Sequence, residues 1–512
     1  MNSTYYVTTP IYYVNDVPHI GHAYTTLAAD VLARYYRLKG LEVFFLTGTD
    51  EHGQKVQRAA QVKGLSPKEL ADQNAQHFRD LWSKMNISCD DFIRTTEPRH
   101  LNAVTYFLER MITAGDVYLG EYEDWYCVHD ETFYTESQLQ DGRCPMCNRP
   151  VEKVKEPSYF FRLGKYQDRL IQHLESHPEF IQPDIRFNEI MSFVKRGLRD
   201  LSISRTTFDW GVPIPEAPGH VTYVWVDALT NYISGLGYPG DTSGRYQTFW
   251  PAQVHLIGKD ILRHHAVYWP CFLLSAGLPL PRAIFAHGWW TNEGEKMSKS
   301  LGNFVDPHQI IDTYGLDPFR YFLLREVPFG LDGDFSITAL RGRINADLAN
   351  DLGNLLSRTA GMMDKYLNGR VSSPREAEGL DDDLRAKAEK TFAELDSALS
   401  IFAFNRALSS IWEFINMANK YIDKSAPWSL FKDSSKKGRL QTVLYHATEA
   451  LRLIAILVYP FMPGSAEEMW IRLGQEEKIT ARTIDKSSKW GGLKSGTIIK
   501  KGTSLFPRLI ED

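Results

Sequence analysis

Two imidazoles flank one glycine in Pro18-His19-Ile20-Gly21-His22-Ala23, between a β-branched and aromatic run, Tyr5-Tyr6-Val7-Thr8-Thr9, and a long amphipathic segment that starts near Ala23. That order predicts a strand-to-helix turn. A helix start offers unpaired backbone N–H groups and the positive end of its dipole, His19 and His22 add side-chain donors, and Gly21 lets a flat base approach the backbone, so the chemistry is phosphate binding. A polar helix start without a ligand is the competing reading of this stretch alone. Far downstream, Glu295-Lys296-Met297-Ser298-Lys299-Ser300-Leu301-Gly302-Asn303 is polar and doubly cationic. Lys-rich runs are usually solvated loops, and that is the competing reading of this stretch alone. A third group is metal-like: Cys144-Pro145-Met146-Cys147 is half of a zinc knuckle, and Cys127-Val128-His129-Asp130 upstream has one cysteine where a full knuckle has two. Asp130 stands at the second position and ligates through oxygen, with His129 as the alternative; a degenerate knuckle held by packing fits equally.

The elements that position these groups follow from spacing. Leu27, Val31, Tyr35 and Leu38 recur at helical intervals up to Gly40, and Glu42-Val43-Phe44-Phe45-Leu46 is a buried strand, so the first segment is a βαβ unit with ligands at the carboxyl ends of parallel strands. Asp50, in Thr47-Gly48-Thr49-Asp50-Glu51-His52-Gly53, lies at such an end, either capping the next helix or holding a substrate ammonium. Ser66-Pro67-Lys68-Glu69 is a capping box opening a helix to about Met85. From about Val117 to Gly219 turns multiply and the cysteines appear, which predicts an inserted domain. The parallel-sheet pattern resumes at Val221-Thr222-Tyr223-Val224-Trp225-Val226-Asp227-Ala228, then Val254-His255-Leu256-Ile257 ahead of Gly258-Lys259-Asp260, then Ala283-Ile284-Phe285-Ala286; Gly258 and Asp260 are placed to meet a nucleotide. Beyond about Thr338 the chain is predicted to be helical to its end, with Asn416, Asn419 and Lys420 forming a polar stripe and lysines concentrated in the last stretch.

Composition sets the outer limits. The 512 residues are 43% hydrophobic and 12% aromatic, enough for several large cores, and the formal net charge of −5 means that an RNA partner needs a local basic face. No apolar run reaches membrane-spanning length, the first residues lack a signal core, and five cysteines are too few for a disulfide framework, so a cytoplasmic protein is expected.

The histidine and Lys-Met-Ser-Lys-Ser motifs, in this order, resemble the paired signature of the class I aminoacyl-tRNA synthetases. Thr47–Gly53, Tyr223–Ala228 and Gly258-Lys259-Asp260-Ile261 narrow the resemblance to the methionyl-tRNA synthetase family, over nearly the whole chain and in a compact form without an appended C-terminal domain. The resemblance implies an α/β fold: a Rossmann-type parallel-sheet catalytic domain (residues 1–117 and 221–337) split by a connective insertion with a zinc-knuckle-like element (118–220), then a stem-contact region and an all-helical anticodon-binding domain (338–512). It implies methionine activation by ATP with Mg2+, transfer to tRNA, and a structural Zn2+ on Cys127, Asp130, Cys144 and Cys147, and a monomer is expected. His19, His22, Lys296 and Lys299 take the catalytic roles, with Gly21, Gly258 and Asp260 also at ATP. Methionine falls among Ile11, Tyr13, Asp50, Trp225, Ala228, Leu229, Tyr232, His265 and Trp269. Asn416, Asn419, Lys420 and Trp470 are the expected anticodon contacts. An insertion of about a hundred residues leaves no room for the large editing domain of the synthetases for isoleucine, leucine and valine. A small nucleotidyltransferase has no use for the helical domain, and a zinc-dependent nucleic-acid binder does not explain the strand-end motifs.

Overall fold

The computed structural model describes residues 3–130, 132–292, 294–296 and 304–510. It divides into two compact units, residues 1–29 with 43–288 and residues 30–42 with 289–512.

In the first unit β1 (Thr4–Tyr13), α1 (Ile20–Leu38), β2 (Glu42–Asp50), α2 (Gln54–Lys63), α3 (Pro67–Lys84), β3 (Asp91–Arg94) and α4 (Pro98–Thr113) follow in order, α1 continuing into the second unit. Gly40, at φ +83, turns the chain after α1, a conformation that suits glycine. Ser66 caps α3 as expected, its side chain accepting from Glu69 N while Glu69 reaches back to Ser66 N. Next come β4 (Val117–Cys127), β5 (Thr132–Tyr134), β6 (Glu152–Phe161), α5 (Gln167–Ser176), β7 (Ile181–Gln182), α6 (Asp184–Lys195), β8 (Leu201–Ser202), β9 (Ser204–Arg205), β10 (Val221–Thr222), α7 (Val224–Leu229), α8 (Asn231–Ser234), α9 (Arg245–Phe249), β11 (Val254–Gly258), α10 (Trp269–Ser275) and β12 (Ile284–His287).

The main sheet runs β3-β2-β1-β11-β12-β7, with β2–β3, β1–β11, β11–β12 and β12–β7 parallel. A second, antiparallel sheet, β5-β4-β6-β8, carries the cysteine segment. Two features depart from the pattern read in the sequence. Ile181–Gln182, within the segment assigned to the insertion, adds the sixth strand to the main sheet, and Leu163, Leu170, Phe180 and Ile190 share one core with Tyr6, Leu46 and Ile257, so much of the stretch after β6 packs as part of the catalytic body. The expected strand over Val221–Ala228 is only two residues long, pairs antiparallel with β9 and gives way to α7. All six residues of α7 are buried, and a helix buried all round is as uniformly apolar as a buried strand, so periodicity does not separate them.

The second unit opens with β13 (Trp290–Asn292), β14 (Glu295–Lys296), α11 (Pro307–Tyr314), α12 (Leu316–Arg325) and β15 (Gly333–Phe335). Its helical part comprises α13 (Ile337–Arg343), α14 (Asn354–Leu367), α15 (Gly379–Ser400), α16 (Phe404–Ser425), α17 (Pro427–Leu430), α18 (Lys437–Val458), α19 (Pro463–Arg472) and α20 (Ile484–Ser487). α18 is the bundle's axis, buried at every residue from Ala447 to Val458. Arg320, wholly buried, donates to Asp30 and to the carbonyls of Phe461 and Pro460, which satisfies a guanidinium that could not stand in the core unpaired. Helix does not continue to the end: after α20 the described chain is irregular and is docked by Glu449, whose carboxylate accepts from the N–H groups of Gly491, Gly492 and Leu493. No helix among the described residues is long and apolar enough to cross a membrane.

Candidate active site

Adjacent parallel strands bring their carboxyl ends to one edge, and the histidine motif stands there because β1 feeds α1 through it. Gly21 N donates to His19 Nδ1 at 3.0 Å and His19 N donates to His22 Nδ1 at 3.2 Å, while the rings stack with centroids 3.7 Å apart. Since both Nδ1 atoms accept, a neutral imidazole at either position carries its proton on Nε2. Burial, with His19 and Lys55 nearby, holds His22 well below the usual histidine range, so it works uncharged. The first turn of α1 contains no acidic residue to compete with an anion. A Cβ at Gly21 would lie 2.9 Å from His19 Cε1, so any larger residue displaces the His19 imidazole. At the end of β11 a Cβ on Gly258 would lie 2.5 Å from Asp260 Oδ1, so Asp260 folds closely over the glycine. His287, ending β12, donates from Nδ1 to Gly288 O and accepts from Thr25 Oγ1 at 2.6 Å, tying the start of α1 to the sheet.

Beside this edge the same unit holds an aromatic cluster. Tyr232 Oη donates to His265 Nε2 at 2.7 Å, because His265 Nδ1–H is engaged with Ile261 O at 3.0 Å. Burial takes the His265 imidazole down to about 4, so it too is neutral. Trp225 stacks on His264 at 3.6 Å and meets His265 edge-on, while Trp269, wholly buried, backs Tyr232. Among the described residues the indole N–H groups of Trp225 and Trp269 and both ring nitrogens of His264 have no partner, so the cluster keeps polar capacity in reserve. Ala228 and Leu229 lie on α7 with Trp225. Asp50 ends β2, buried, with its carbonyl accepting from Val14 N. Ile11 and Tyr13 are partly exposed on β1, and Lys55 Nζ sits 4.8 Å above the Tyr13 ring. Sequence reasoning passed over His264 and a buried network in which Asp227 accepts from His52 Nδ1 at 2.7 Å and from His100 Nε2 at 2.8 Å. The signal was available: an acid inside the apolar run Val224-Trp225-Val226-Asp227-Ala228 has to be paired.

Lys299 falls within residues 297–303, outside the described residues, and of Lys296 only the backbone is described, opposite Thr291 in the β13–β14 hairpin.

The Sγ atoms of Cys127, Cys144 and Cys147 and a carboxylate oxygen of Asp130 all lie within 4.8 Å of one another. Cys127 and Cys147 sulfurs are 3.5 Å apart and Cys144 Sγ is 2.9 Å from Asp130 Oδ2, spacings that a tetrahedral cation with bonds of about 2.0–2.3 Å closes with small adjustments. His129 bonds instead to the far oxygen of Asp130, at 2.9 Å, which makes it the orienting partner rather than the fourth donor. Burial pushes the Cys127 thiol up to about 11, so a cation is what would hold it as thiolate.

In the helical part, Asn416 and Lys420 are exposed on α16. Asn419 turns inward and donates to Asp351 O and Ile415 O. Trp470 is 8% exposed with its indole N–H on Glu477 O, so its face is not offered to a base. The exposed rings are Trp428 and Phe431, at 40% and 48%, the latter stacked on Tyr366.

A family described as "tRNA synthetases class I (M)" matches residues 5–156 and 148–360, and the "Anticodon-binding domain of tRNA ligase" matches 381–504. The chain is similar to the methionine--tRNA ligase of Caldanaerobacter subterraneus, 53% identical over 99% of this chain and 79% of that one, and to that of Bacillus subtilis, 50% identical over 99% and 78%. Among solved structures, Mycobacterium tuberculosis methionyl-tRNA synthetase in complex with methionyl-adenylate superposes with a TM-score of 0.96 at 48% identity, covering 99% of this chain and 100% of that one.

Proposed function

The chain belongs to the class I methionyl-tRNA synthetases, and from that premise we propose that the strand-end cluster of the first unit is where methionine is activated. The enzyme joins methionine to its tRNA in two steps. The methionine carboxylate attacks the α-phosphate of ATP, a P–O bond forms as the bond to pyrophosphate breaks, and the adenylate's carbonyl carbon is then taken by the terminal ribose hydroxyl of tRNA, releasing AMP.

Negative charge grows on the departing phosphates, so the work falls to donors aimed there before the reaction begins. His19 and His22 present Nε2–H from the start of α1, with Gly21, Gly258 and Asp260 shaping the nucleotide's side of the cleft, and Lys296 and Lys299 are assigned the cationic role. Mg2+, held by phosphate oxygens, accompanies ATP. Asp50 pairs with the ammonium of methionine. Ile11, Tyr13, Trp225, Ala228, Leu229, Tyr232, His265 and Trp269 surround its side chain, which is polarizable and unbranched and therefore suits aromatic faces with a few donors. The observation that carries this reading is the stacked His19–His22 pair at the start of α1, whose Nδ1 atoms both accept from the backbone and so put the proton of a neutral ring on Nε2. The donor set of Cys127, Asp130, Cys144 and Cys147 fits Zn2+ in a structural role, closing the hairpin β4–β5 onto the following loop. In the helical part, Asn416 and Lys420 remain assigned to the anticodon, and the stacking role given to Trp470 passes to Trp428. We further assign the enzyme to the cytoplasm and to a monomeric state.

ATP–pyrophosphate exchange across the twenty amino acids tests the assignment: exchange restricted to methionine is expected without tRNA, and exchange driven as well by isoleucine, leucine or valine would overturn the methionine pocket.

A further inference from the structure

We propose that Asp227 is a positioning residue for the amino-acid side of the active site, holding the strand end that carries Asp50 at a set distance from α7; this rests on the assignment of Asp50 to the methionine ammonium. Asp227 lies in the middle of α7, wholly buried, where a carboxylate is costly unless each oxygen is satisfied. Oδ2 accepts from His52 Nδ1 at 2.7 Å and Oδ1 from His100 Nε2 at 2.8 Å; His100 Nδ1 in turn meets the Ser234 hydroxyl of α8 at 2.8 Å. One carboxylate therefore joins the end of β2, the start of α4 and the α7–α8 pair.

The loop that carries His52 is held on its other sides as well. Glu51, buried, takes hydrogen bonds from Thr49, Arg94 and Thr96, and its carbonyl accepts from the Trp210 indole. Gly53 N donates to Trp210 O, and the His52 ring stands edge-on to Trp210 at 5.3 Å. These contacts fix the loop's outer side, while the His52–Asp227 hydrogen bond ties it to α7. Asp50 is two residues before His52, and Trp225 is two residues before Asp227, so the His52–Asp227 bond sets how far the ammonium's partner stands from the side-chain wall. A charge–ammonium contact is sensitive to small displacements, whereas ATP, at the histidine motif, is held by other groups.

Asp227→Asn keeps the shape and replaces one acceptor with an NH2 group that faces an imidazole N–H. In pyrophosphate exchange the KM for methionine is expected to rise by about tenfold or more while that for ATP stays within about twofold. Parallel loss in both, or no change in either, overturns the proposal. The second probe is 4-(methylsulfanyl)butanoate, which is methionine without its ammonium. As a competitive inhibitor it should weaken by less than about threefold in Asp227→Asn, so that the enzyme's preference for methionine over it shrinks; an unchanged preference refutes the positioning role. Asp50→Asn separates the two levels: if this variant keeps the wild-type preference, the assignment of Asp50 fails, and if it loses the preference while Asp227→Asn keeps it, only the role of Asp227 fails. Should Asp227→Asn lose its cooperative thermal transition, His52→Phe, which removes the donor to Asp227 and keeps a ring against Trp210, is measured in its stead. About a threefold rise in methionine KM with ATP unaffected supports the network, and no rise overturns it.

Discussion

Replacing Gly21 by alanine sets stability against activity. Gly21 is the second residue of α1 and its φ lies outside the positive range, so alanine meets no backbone strain, and in a helix it is favoured over glycine by up to about 1 kcal/mol. Its methyl group, however, would sit 2.9 Å from His19 Cε1 and 3.1 Å from Nδ1, against an ordinary contact of at least 3.4 Å. His19 must retreat by a few tenths of an ångström, lengthening the Gly21 N to His19 Nδ1 bond from 3.0 Å and shifting the ring in its 3.7 Å stack with His22. A displacement of about 1 Å costs roughly a hundredfold where groups must be aligned, and loss of one donor to developing charge costs about 10²–10³, so a partial shift of one imidazole is expected to lower kcat for adenylate formation by about 10–100-fold. Single-turnover formation of methionyl-adenylate, with thermal unfolding on the same samples, measures both sides. The thermal midpoint should hold or rise. A rate within about twofold of wild type would refute the steric argument, and a rate loss accompanied by an equal fall in stability would mean that the site had unfolded rather than lost its alignment.

His255, His264, His265 and His287 are all buried and held below the usual histidine value by that burial, His265 at about 4. Unfolding exposes them to protonation, so the unfolded chain binds more protons below about pH 6.5; stability is full above that pH and should fall by up to about 1.4 kcal/mol per pH unit per residue towards pH 4, and a flat profile in chemical denaturation between pH 7 and 5 would contradict this. Tyr13→Phe should weaken methionine more than norleucine, which keeps the shape and lacks the sulfur; an unchanged ratio in pyrophosphate exchange removes Tyr13 from the recognition set. Asn419→Ala, losing an amide bond to Asp351 O, should cost about 1 kcal/mol of stability and spare tRNA charging, while Trp428→Ala should impair charging by about tenfold and spare pyrophosphate exchange; the reverse pattern would restore Asn419 as an anticodon contact. Protein purified without added metal should carry about one equivalent of zinc, reduced in Asp130→Ala but not in His129→Ala; equal loss in both would make His129 a ligand.

What the sequence discloses and what it hides divide along a physical line. α1, β2 and the Ser66 box are legible because helix periodicity, a short apolar run and a cap are local signals. The chemistry-bearing motifs are legible for a related reason, since Gly21 and the paired histidines act through backbone groups within three residues of one another. Hidden are the properties decided by what packs against what. Val224–Leu229 has the composition of a buried strand and is a helix buried at every residue, Ile181–Gln182 is too short to announce itself and joins the main sheet at the edge of β12, and Trp470 is held from the surface with its indole N–H on the Glu477 carbonyl. Asp227 belongs to neither group. Its position among apolar residues declares that it is paired, while its partners, His52 and His100, are distant in the chain and can be named only from the fold. An acid that breaks the local rule at the wall of the proposed methionine site has its compensation elsewhere in the structure, in two imidazoles reaching from the end of β2 and the start of α4, and the proposed positioning role is what that pairing would serve.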